Sequence, residues 1–333
     1  MAPWFLSYNA RDYLEENPPA DDIRPEVEQF LNDGVAIVKA GVPREFALEM
    51  KAYFDEIKQL NAELFEQAKN EDGALQRLGN MHRAFPRFLE LFTRNRALAV
   101  QDYLFGAPTS LYTTLFFEQG SQQPFHRDTP LFCTRPEYTY CGMWVPMEDI
   151  DAENGPLKYF RGGHLLPEQN RQQIAKQRYP DLNDVPYNDG ELWITYQDGV
   201  AAECRRLGLQ EVEAHLGAGD TLIWHPQMPH GGAAHLDKTR TRCSMVFHTT
   251  PYGMPVYHMT EFFNPRRNVP ATPEWGFIPM DDVPEGAGRF FADQGTRVDL
   301  AHKALVEIET FKQPAARSPE PSYLISKPIG LNL

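Results

Sequence analysis

Long apolar runs and clusters of basic residues are both missing from this 333-residue sequence. No stretch approaches the roughly 18 apolar residues that a membrane-spanning helix needs. The opening Met-Ala-Pro-Trp-Phe-Leu lacks the basic and apolar regions of a signal peptide. Lys and Arg number 32 against 46 Asp and Glu, a formal net charge of −14, and such a surface repels polyanions. We therefore expect a cytoplasmic protein with a small-molecule substrate and no nucleic-acid or membrane partner; its oligomeric state stays unknown.

Cysteine is also scarce, with four residues in the whole chain: Cys133, Cys141, Cys204 and Cys243. They form no CxxC pair and show no zinc-knuckle spacing. Cys141 and Cys243 lie within apolar runs, which predicts buried free thiols. Free thiols suit a reducing compartment.

The first 106 residues are predicted to be mainly helical. A short helical pattern spans Pro25–Asn32 and a strand spans Gly34–Lys39. Pro43 is typical of a first helical residue, and the apolar spacing from Phe46 to Phe65 predicts one helix of about six turns. A second helical region, Pro86–Phe105, is predicted to end at Gly106.

After Gly106 the pattern changes to short β-rich runs separated by Gly, Pro, Asn and Asp: Leu111–Glu118, Tyr138–Pro146, Leu157–Phe160, Glu211–Leu216, Thr221–Trp224 and Arg242–Thr249. Short strands with intervening turns are typical of a sandwich or barrel. Residues 167–200 interrupt them with a charged helical stretch, a candidate substrate lid. We expect a single domain over 1–333, with a helical flank (1–106), a β core (107–250) and a wrapping extension (251–333) that includes a helix near Val298–Phe311.

A split cluster of His126, Asp128 and His230 is the strongest chemical signal. On a regular strand, residues i and i+2 point to one face, so His126 and Asp128 are expected to reach the same ion. His230 is followed by Gly231 and Gly232, which let backbone lie close to a bound ligand. Two imidazoles and one carboxylate form the face that holds non-haem Fe(II) and leaves coordination positions open.

Arg242 lies twelve residues after His230, at the start of an apolar run. A guanidinium at such a strand end is suited to bind a carboxylate bidentately in a dry pocket. Arg240, two residues earlier on the same face, is the alternative for this role. The cluster and the arginine together predict an oxygenase whose co-substrate ends in a carboxylate. His164, His225 and His248 are interpreted as structural or as neighbours of the ligands.

Several ordered motifs resemble the phytanoyl-CoA dioxygenase-like (PhyH) family of Fe(II)/2-oxoglutarate-dependent oxygenases over roughly residues 30–250. They are Gly34-Val-Ala-Ile-Val, Phe125-His126-Arg-Asp128, Trp144–Asp149, Glu153–Leu157, Gly162-Gly-His164, Gly219-Asp220, His230-Gly231 and Arg242. The resemblance implies a mainly β fold with flanking helices and a double-stranded β-helix (jelly-roll, cupin-like) core. It also implies Fe(II) at His126, Asp128 and His230, the distal carboxylate of 2-oxoglutarate at Arg242, and O₂ as the second co-substrate.

The resemblance further places Trp144 near the co-substrate and suggests a polar contact from Tyr112 or Thr114. Two positions depart from the family pattern. Gly231-Gly232 replaces Gly-Ser, which removes a hydroxyl contact, and Arg161-Gly-Gly-His164 replaces Pro-Gly-Ser-His, which leaves Arg161 near the pocket rim. Halogenases of this class lack the carboxylate ligand, so Asp128 argues against halogenation.

The expected reaction is hydroxylation of a C–H bond in a small polar metabolite or a sugar-containing or natural-product substrate. Gln123, Arg127 and Arg161 are the candidates for substrate contact, and desaturation, cyclisation or epimerisation stay open as outcomes. One alternative is a cupin-like isomerase or hydrolase without 2-oxoglutarate, which has no need of a charged clamp at Arg242. Another is a non-catalytic binding module, which the complete ligand set argues against.

Overall fold

Helices dominate the first hundred residues and a later insertion, while strands form the rest. The computed structural model describes residues 3–71, 73–75, 77–269, 297–300 and 304–315. The helices are α1 (Ala10–Glu16), α2 (Arg24–Asp33), α3 (Arg44–Leu60), α4 (Ala62–Ala68), α5 (Met81–Ala84), α6 (Glu90–Thr93), α7 (Ala97–Phe105), α8 (Arg171–Lys176), α9 (Gly190–Arg206) and α10 (Met259–Phe263).

The strands form a large antiparallel sheet, a small one and a two-stranded ribbon. They are β1 (Val35–Val38), β2 (Leu78–Gly79), β3 (Thr109–Phe117), β4 (Cys133–Thr134), β5 (Cys141–Pro146), β6 (Leu157–Phe160), β7 (Glu211–Ala214), β8 (Thr221–Trp224), β9 (His230–Gly232), β10 (Ser244–Pro251), β11 (Val256–Tyr257), β12 (Arg297–Leu300) and β13 (Ala304–Glu307). The large sheet has the order β1-β8-β5-β10-β3-β2-β12-β13, the small sheet β7-β6-β9, and the ribbon β11-β4.

Both faces of the central strands of the large sheet are buried. On one face, Met143 and Val145 of β5 belong to the same apolar cluster as Met50 and Phe54 of α3. On the other face, Trp144 packs in a second cluster with residues of the small sheet. Because side chains alternate along a strand, a strand covered on both sides has a continuous apolar sequence. The helix-covered sheet facing a smaller sheet confirms the predicted double-stranded β-helix with flanking helices.

The predicted six-turn helix after Pro43 is two helices. Pro43 has an extended ψ of 138° and caps α3, which begins at Arg44. The break falls at Asn61, whose side chain donates to the carbonyls of Ile57 (3.0 Å) and Lys312 (2.9 Å). The helix is therefore interrupted at Asn61, and the side chain of this residue joins it to the C-terminal segment.

The helical region predicted over Pro86–Phe105 is also interrupted. A 3₁₀ turn and α6 end before Asn95, whose side chain donates to Leu91 O and Thr221 Oγ1 and accepts from the N–H of Ala97. Asn95 thus bonds to the last turn of one helix and to the first residue of the next. Gly106 ends α7 in the left-handed conformation, as predicted.

The helix predicted near Val298–Phe311 is wrong. Strands β12 and β13 pair with each other, and β12 also pairs with β2. Val298 and Leu300 are both buried, the period-two pattern of a strand, and a 3₁₀ turn follows at Ile308–Thr310. The predicted wrapping extension at 270–296, 301–303 and 316–333 lies outside the described residues.

Two composition-based expectations concern thiols and membrane helices. All four cysteines are buried and unpaired, as predicted for Cys141 and Cys243. Among the described residues, no helix combines the length and the apolar composition that crossing a bilayer would require.

Candidate metal and co-substrate site

The three predicted metal ligands lie together between the two sheets. His126 and His230 form an antiparallel bridge, with each backbone N–H donating to the other's carbonyl at 2.8 and 2.9 Å. Asp128 lies two residues on, in a bend rather than in the regular strand that the spacing suggested. One ligand atom from each residue lies within 4.8 Å of the others. The backbone bridge between His126 and His230 brings these residues together, and not the alternation of side chains along a regular strand.

Both imidazoles are oriented by backbone carbonyls. Nδ1 of His126 contacts Pro124 O at 2.9 Å, and Nδ1 of His230 contacts Met228 O at 3.0 Å. A carbonyl only accepts, so Nδ1 carries the proton and each Nε2 lone pair faces Asp128 at 3.6 or 3.7 Å. Burial lowers the pKa of His230 to about 4. The ring is neutral near pH 7, the form that binds a metal.

The Asp128 carboxylate is fixed by two side-chain donors. Its Oδ2 accepts from the Tyr140 hydroxyl at 2.7 Å and from Trp224 Nε1 at 2.9 Å. Burial opposes ionisation of Asp128, yet its pKa lies below the usual range, and the two hydrogen bonds from Tyr140 and Trp224 favour the charged form. The cluster therefore presents one carboxylate and two imidazoles, which fits a divalent cation.

A cavity of about 550 Å³ opens onto this cluster. Phe132 forms part of its wall, and the helical insertion contributes Asn188 and Trp193, so the predicted lid segment does border the site. Mixed apolar and polar walls around this volume are typical of small-molecule sites.

Arg242 lies just before β10, in the same cavity. Its guanidinium carbon is 4.7 Å from the centre of the Trp144 ring, Nε donates to Gly155 O at 3.1 Å, and one terminal nitrogen donates to Ser244 Oγ at 3.2 Å. Burial lowers the pKa of Arg242 to about 10, which leaves it charged near pH 7. No carboxylate of the described chain pairs with it, and Trp144 Nε1 has no partner there either. These two donors fit the distal carboxylate of a bound 2-oxoglutarate.

Arg240 is placed elsewhere. It forms an ion pair with Asp151 at 2.9 Å and is absent from the cavity wall. Of the two arginines that the sequence left open, position therefore favours Arg242.

The other candidates on the co-substrate side differ in position. Trp144 lines the cavity. Thr114 is buried and contacts His82 Nδ1 at 2.8 Å, and Tyr112 contacts His258. Neither lines the cavity, because Leu115 and Phe117 are the cavity-facing residues of β3. The polar contact expected from this strand is not found there.

The three substrate candidates also separate. Gln123 lines the cavity. Arg127 also lines the cavity. Its guanidinium donates to the carbonyls of Gly163 and Leu166 and so holds the segment that precedes the insertion. Arg161 lies near Asp33 at 3.6 Å, half-exposed and away from the cavity. Its expected place at the pocket rim is not observed.

The two glycines after His230 do lie close to another part of the structure, but that part is the protein's own backbone. A Cβ at Gly231 would lie 2.6 Å from Gln123 O, and one at Gly232 would lie 2.7 Å from Gln122 N. The neighbour is the loop that carries the first ligand, and not a bound ligand as expected.

Sequence reasoning missed Tyr140, Trp224 and Arg77. Tyr140-x-Gly142-x-Trp144 has the alternation of one strand face, and a Cβ at Gly142 would lie 2.0 Å from the Trp224 ring. A glycine between two aromatic residues was thus a signal that another large side chain packs there. Arg77 carries no comparable local signal.

The fold and the site define a class, the jelly-roll metalloenzyme with a buried His-Asp-His face. The model of the family described as phytanoyl-CoA dioxygenase (PhyH) matches residues 30–242, and the chain belongs to this family. The predicted resemblance is confirmed, and with it the enzyme class: a non-haem Fe(II) enzyme dependent on 2-oxoglutarate. No curated protein matches the sequence.

Solved structures with the same fold are distant in sequence. The carbocyclase SnoK from nogalamycin biosynthesis is 15% identical, with a TM-score of 0.54 over 76% of this chain and 94% of that one. The epimerase SnoN, in complex with Fe³⁺, alpha-ketoglutarate and nogalamycin RO, is 18% identical, with a TM-score of 0.50 over 75% and 91%. EctD from S. alaskensis, with 2-oxoglutarate and 5-hydroxyectoine, is 14% identical, with a TM-score of 0.51 over 68% and 76%. These likenesses concern the fold.

Proposed function

We propose that this enzyme hydroxylates a C–H bond of a small polar metabolite, a sugar-containing molecule or a natural product. His126, Asp128 and His230 bind Fe(II), and Arg242 binds the distal carboxylate of 2-oxoglutarate. The observation that carries the proposal is Arg242: a buried cation without a counter-charge among the described residues, in the cavity that the metal cluster faces.

Iron bound by these residues would, with 2-oxoglutarate and O₂, supply the oxidation: one oxygen atom would enter the C–H bond as a hydroxyl, and the other would enter succinate as CO₂ leaves. The protein's own residues prepare this reaction. Asp128 contributes the one negative charge of the ligand set, and Tyr140 and Trp224 hold its orientation. Phe132 and Trp193 line the reaction space and limit the access of water.

Arg242 selects the co-substrate by charge. A guanidinium removed from water is costly without a partner, and a carboxylate that reaches it regains a charge-assisted pair in a dry setting. The flat face of Trp144 lies against the guanidinium and restricts its orientation. A dicarboxylate therefore satisfies both the metal and the arginine, whereas a monocarboxylate satisfies only one.

Anaerobic titration of the purified protein with Fe(II) and 2-oxoglutarate tests the proposal. We expect the weak visible charge-transfer band of the chelate in the wild-type protein and its loss in His230→Ala. Arg242→Gln should weaken 2-oxoglutarate binding by about 30-fold or more, equivalent to about 2 kcal/mol for truncating one partner of a buried charge pair. Arg240→Gln, which removes an arginine of the same segment outside the cavity, is the matched control and should retain wild-type affinity.

Two results would redirect the assignment. Fe(II) binding without any band at saturating 2-oxoglutarate would favour the cupin-like isomerase or hydrolase. Failure to bind any divalent metal would favour the non-catalytic binding module.

A further inference from the structure

A second arginine, Arg77, faces the cavity and has no role in the site as described so far. It directly precedes β2, where Leu78 pairs with Phe116 of β3 in the core beneath the helices. Side chains alternate along paired strands, so Arg77 points to the opposite face, where Phe117 lines the cavity. Arg77 is itself part of the cavity wall.

The guanidinium of Arg77 is only partly compensated. No hydrogen bond or ion pair of Arg77 is found in the part of the chain that the structure describes. Burial lowers the pKa of Arg77, and the charges of Asp299 and Asp128 oppose that effect. A half-buried cation that lines a cavity and has no direct partner is suited to bind an anion.

Arg77 lines the same cavity as Asp128 and Arg242. The charge of Asp128 opposes the lowering of the Arg77 pKa by burial. Burial is the sole cause of the shift in the pKa of Arg242. The cavity therefore has two separate cationic positions, and one 2-oxoglutarate molecule accounts for Arg242 alone.

We propose that Arg77 binds an anionic group of the primary substrate, a carboxylate or a phosphate, and so orients the substrate in front of the metal. This rests on the proposed function and narrows its substrate class to small acids or phosphate esters. Gln123 and Asn188 supply uncharged polar contacts on the same wall. Arg77 is then the residue that sets specificity for charged over neutral substrates.

The test uses inorganic phosphate and acetate as probes and Mn(II) in place of Fe(II). Protein loaded with Mn(II) and 2-oxoglutarate is mixed with either anion, and the paramagnetic relaxation of the ³¹P or ¹³C resonance reports binding close to the metal. We expect relaxation in the wild-type protein, with weaker relaxation of the uncharged probe acetamide. Arg77→Gln should weaken anion binding by about tenfold or more, because it removes hydrogen bonds to a charged partner.

Arg77→Lys retains the charge and should be intermediate, while Arg240→Gln should match the wild type. The probe that relaxes more strongly identifies a phosphate or a carboxylate group as the preferred one. Equal relaxation in wild type and Arg77→Gln, or none in wild type, would overturn the proposal. So would a loss of 2-oxoglutarate affinity in Arg77→Gln with unchanged phosphate binding, since Arg77 would then belong to the co-substrate site.

The charge-transfer band with Fe(II) tests the proposed function independently. If the band is absent from the wild-type protein, the oxygenase proposal fails. The relaxation measurement can then be repeated with Mn(II) alone, because it needs only the three metal ligands and not 2-oxoglutarate. The comparison of wild type with Arg77→Gln still shows whether this arginine binds an anion near the metal.

Discussion

Both carboxylate oxygens of Asp128 lie near an imidazole of the cluster, and one of them also accepts hydrogen bonds from the protein. Oδ2 accepts from Tyr140 and Trp224, while Oδ1 faces Nε2 of His126 at 3.6 Å. Tyr140 also contacts Nδ1 of His248, so a continuous polar chain supports the carboxylate from behind. Partners of this kind orient ligands and affect metal affinity without touching the metal.

Tyr140→Phe is therefore expected to weaken metal binding by roughly 10-fold to 100-fold, the usual range for loss of such a partner. The phenyl ring preserves the packing, and only the donor to Asp128 is removed. Calorimetric titration of the metal-free protein with Mn(II) measures the change.

Tyr196→Phe is the matched control. It removes the hydroxyl of another buried tyrosine, which donates to Glu168 at 2.7 Å and has no contact with the ligands. If both variants bind Mn(II) as the wild type does, Tyr140 has no role in orienting Asp128.

Helix α9 holds the segment that carries two of the three ligands. The side-chain amide of Gln197 accepts from the N–H of Arg127 and donates to its carbonyl, both at 2.8 Å. Arg127 lies between His126 and Asp128 in a stretch without regular strand pairing. The helix thus supplies, through one side chain, the hydrogen bonds that a neighbouring strand would otherwise make.

Gln197→Met should release this segment. The substitution keeps the length of the side chain but leaves a buried N–H and a buried carbonyl unpaired, at about 1–3 kcal/mol each. We expect about tenfold weaker Mn(II) binding, measured by titration, together with a lower midpoint in urea unfolding.

Gln169→Met separates the two effects. The side chain of Gln169 donates to the carbonyl of Tyr196, which lies in α9, at 2.8 Å and away from the ligands. It should lower stability while leaving Mn(II) affinity unchanged. Equal losses of affinity in both variants would show a general loss of stability instead.

At the scale of the whole molecule, several histidines are buried in the neutral form outside the metal cluster. Burial lowers the pKa of His82 and His225 well below the ordinary value and that of His164 to about 4. These rings are protonated more easily in the unfolded chain. Their contribution to stability is complete above a pH of about 6.5 and is lost as the pH falls toward 4.

The metal-free protein should accordingly lose stability between about pH 7 and pH 5. The shift in the pKa of His164, from 6.5 to about 4, corresponds to about 3 kcal/mol over its full range. His164→Gln should reduce the pH dependence of the unfolding free energy, as measured with urea. The exposed His215→Gln serves as the control, and an unchanged pH dependence in His164→Gln would contradict the assignment.

The His-Asp-His cluster could be predicted because the types of these residues and their order along the sequence indicate a metal site. The choice between Arg240 and Arg242 could not, since residues two apart share a face on any strand. The structure separates them because Arg240 pairs with Asp151, whereas Arg242 lines the cavity.

Long-range pairing explains the remaining errors. The apolar residues near Val298–Phe311 fit a helix as well as a strand, and the pairing of β12 with β13 and with β2 selects the strand. Arg77 reaches the cavity for the same reason, because Leu78 of β2 pairs with Phe116, 38 residues later. No local pattern contains that information.

The bridge between His126 and His230 is made of backbone, so the two imidazoles are held in place whether or not an ion is bound. Such a preassembled pocket does not require iron to form. Imidazole and carboxylate donors bind Co(II), Ni(II), Cu(II) and Zn(II) more tightly than Fe(II). Correct metallation of this enzyme thus depends on which of these ions are available to it.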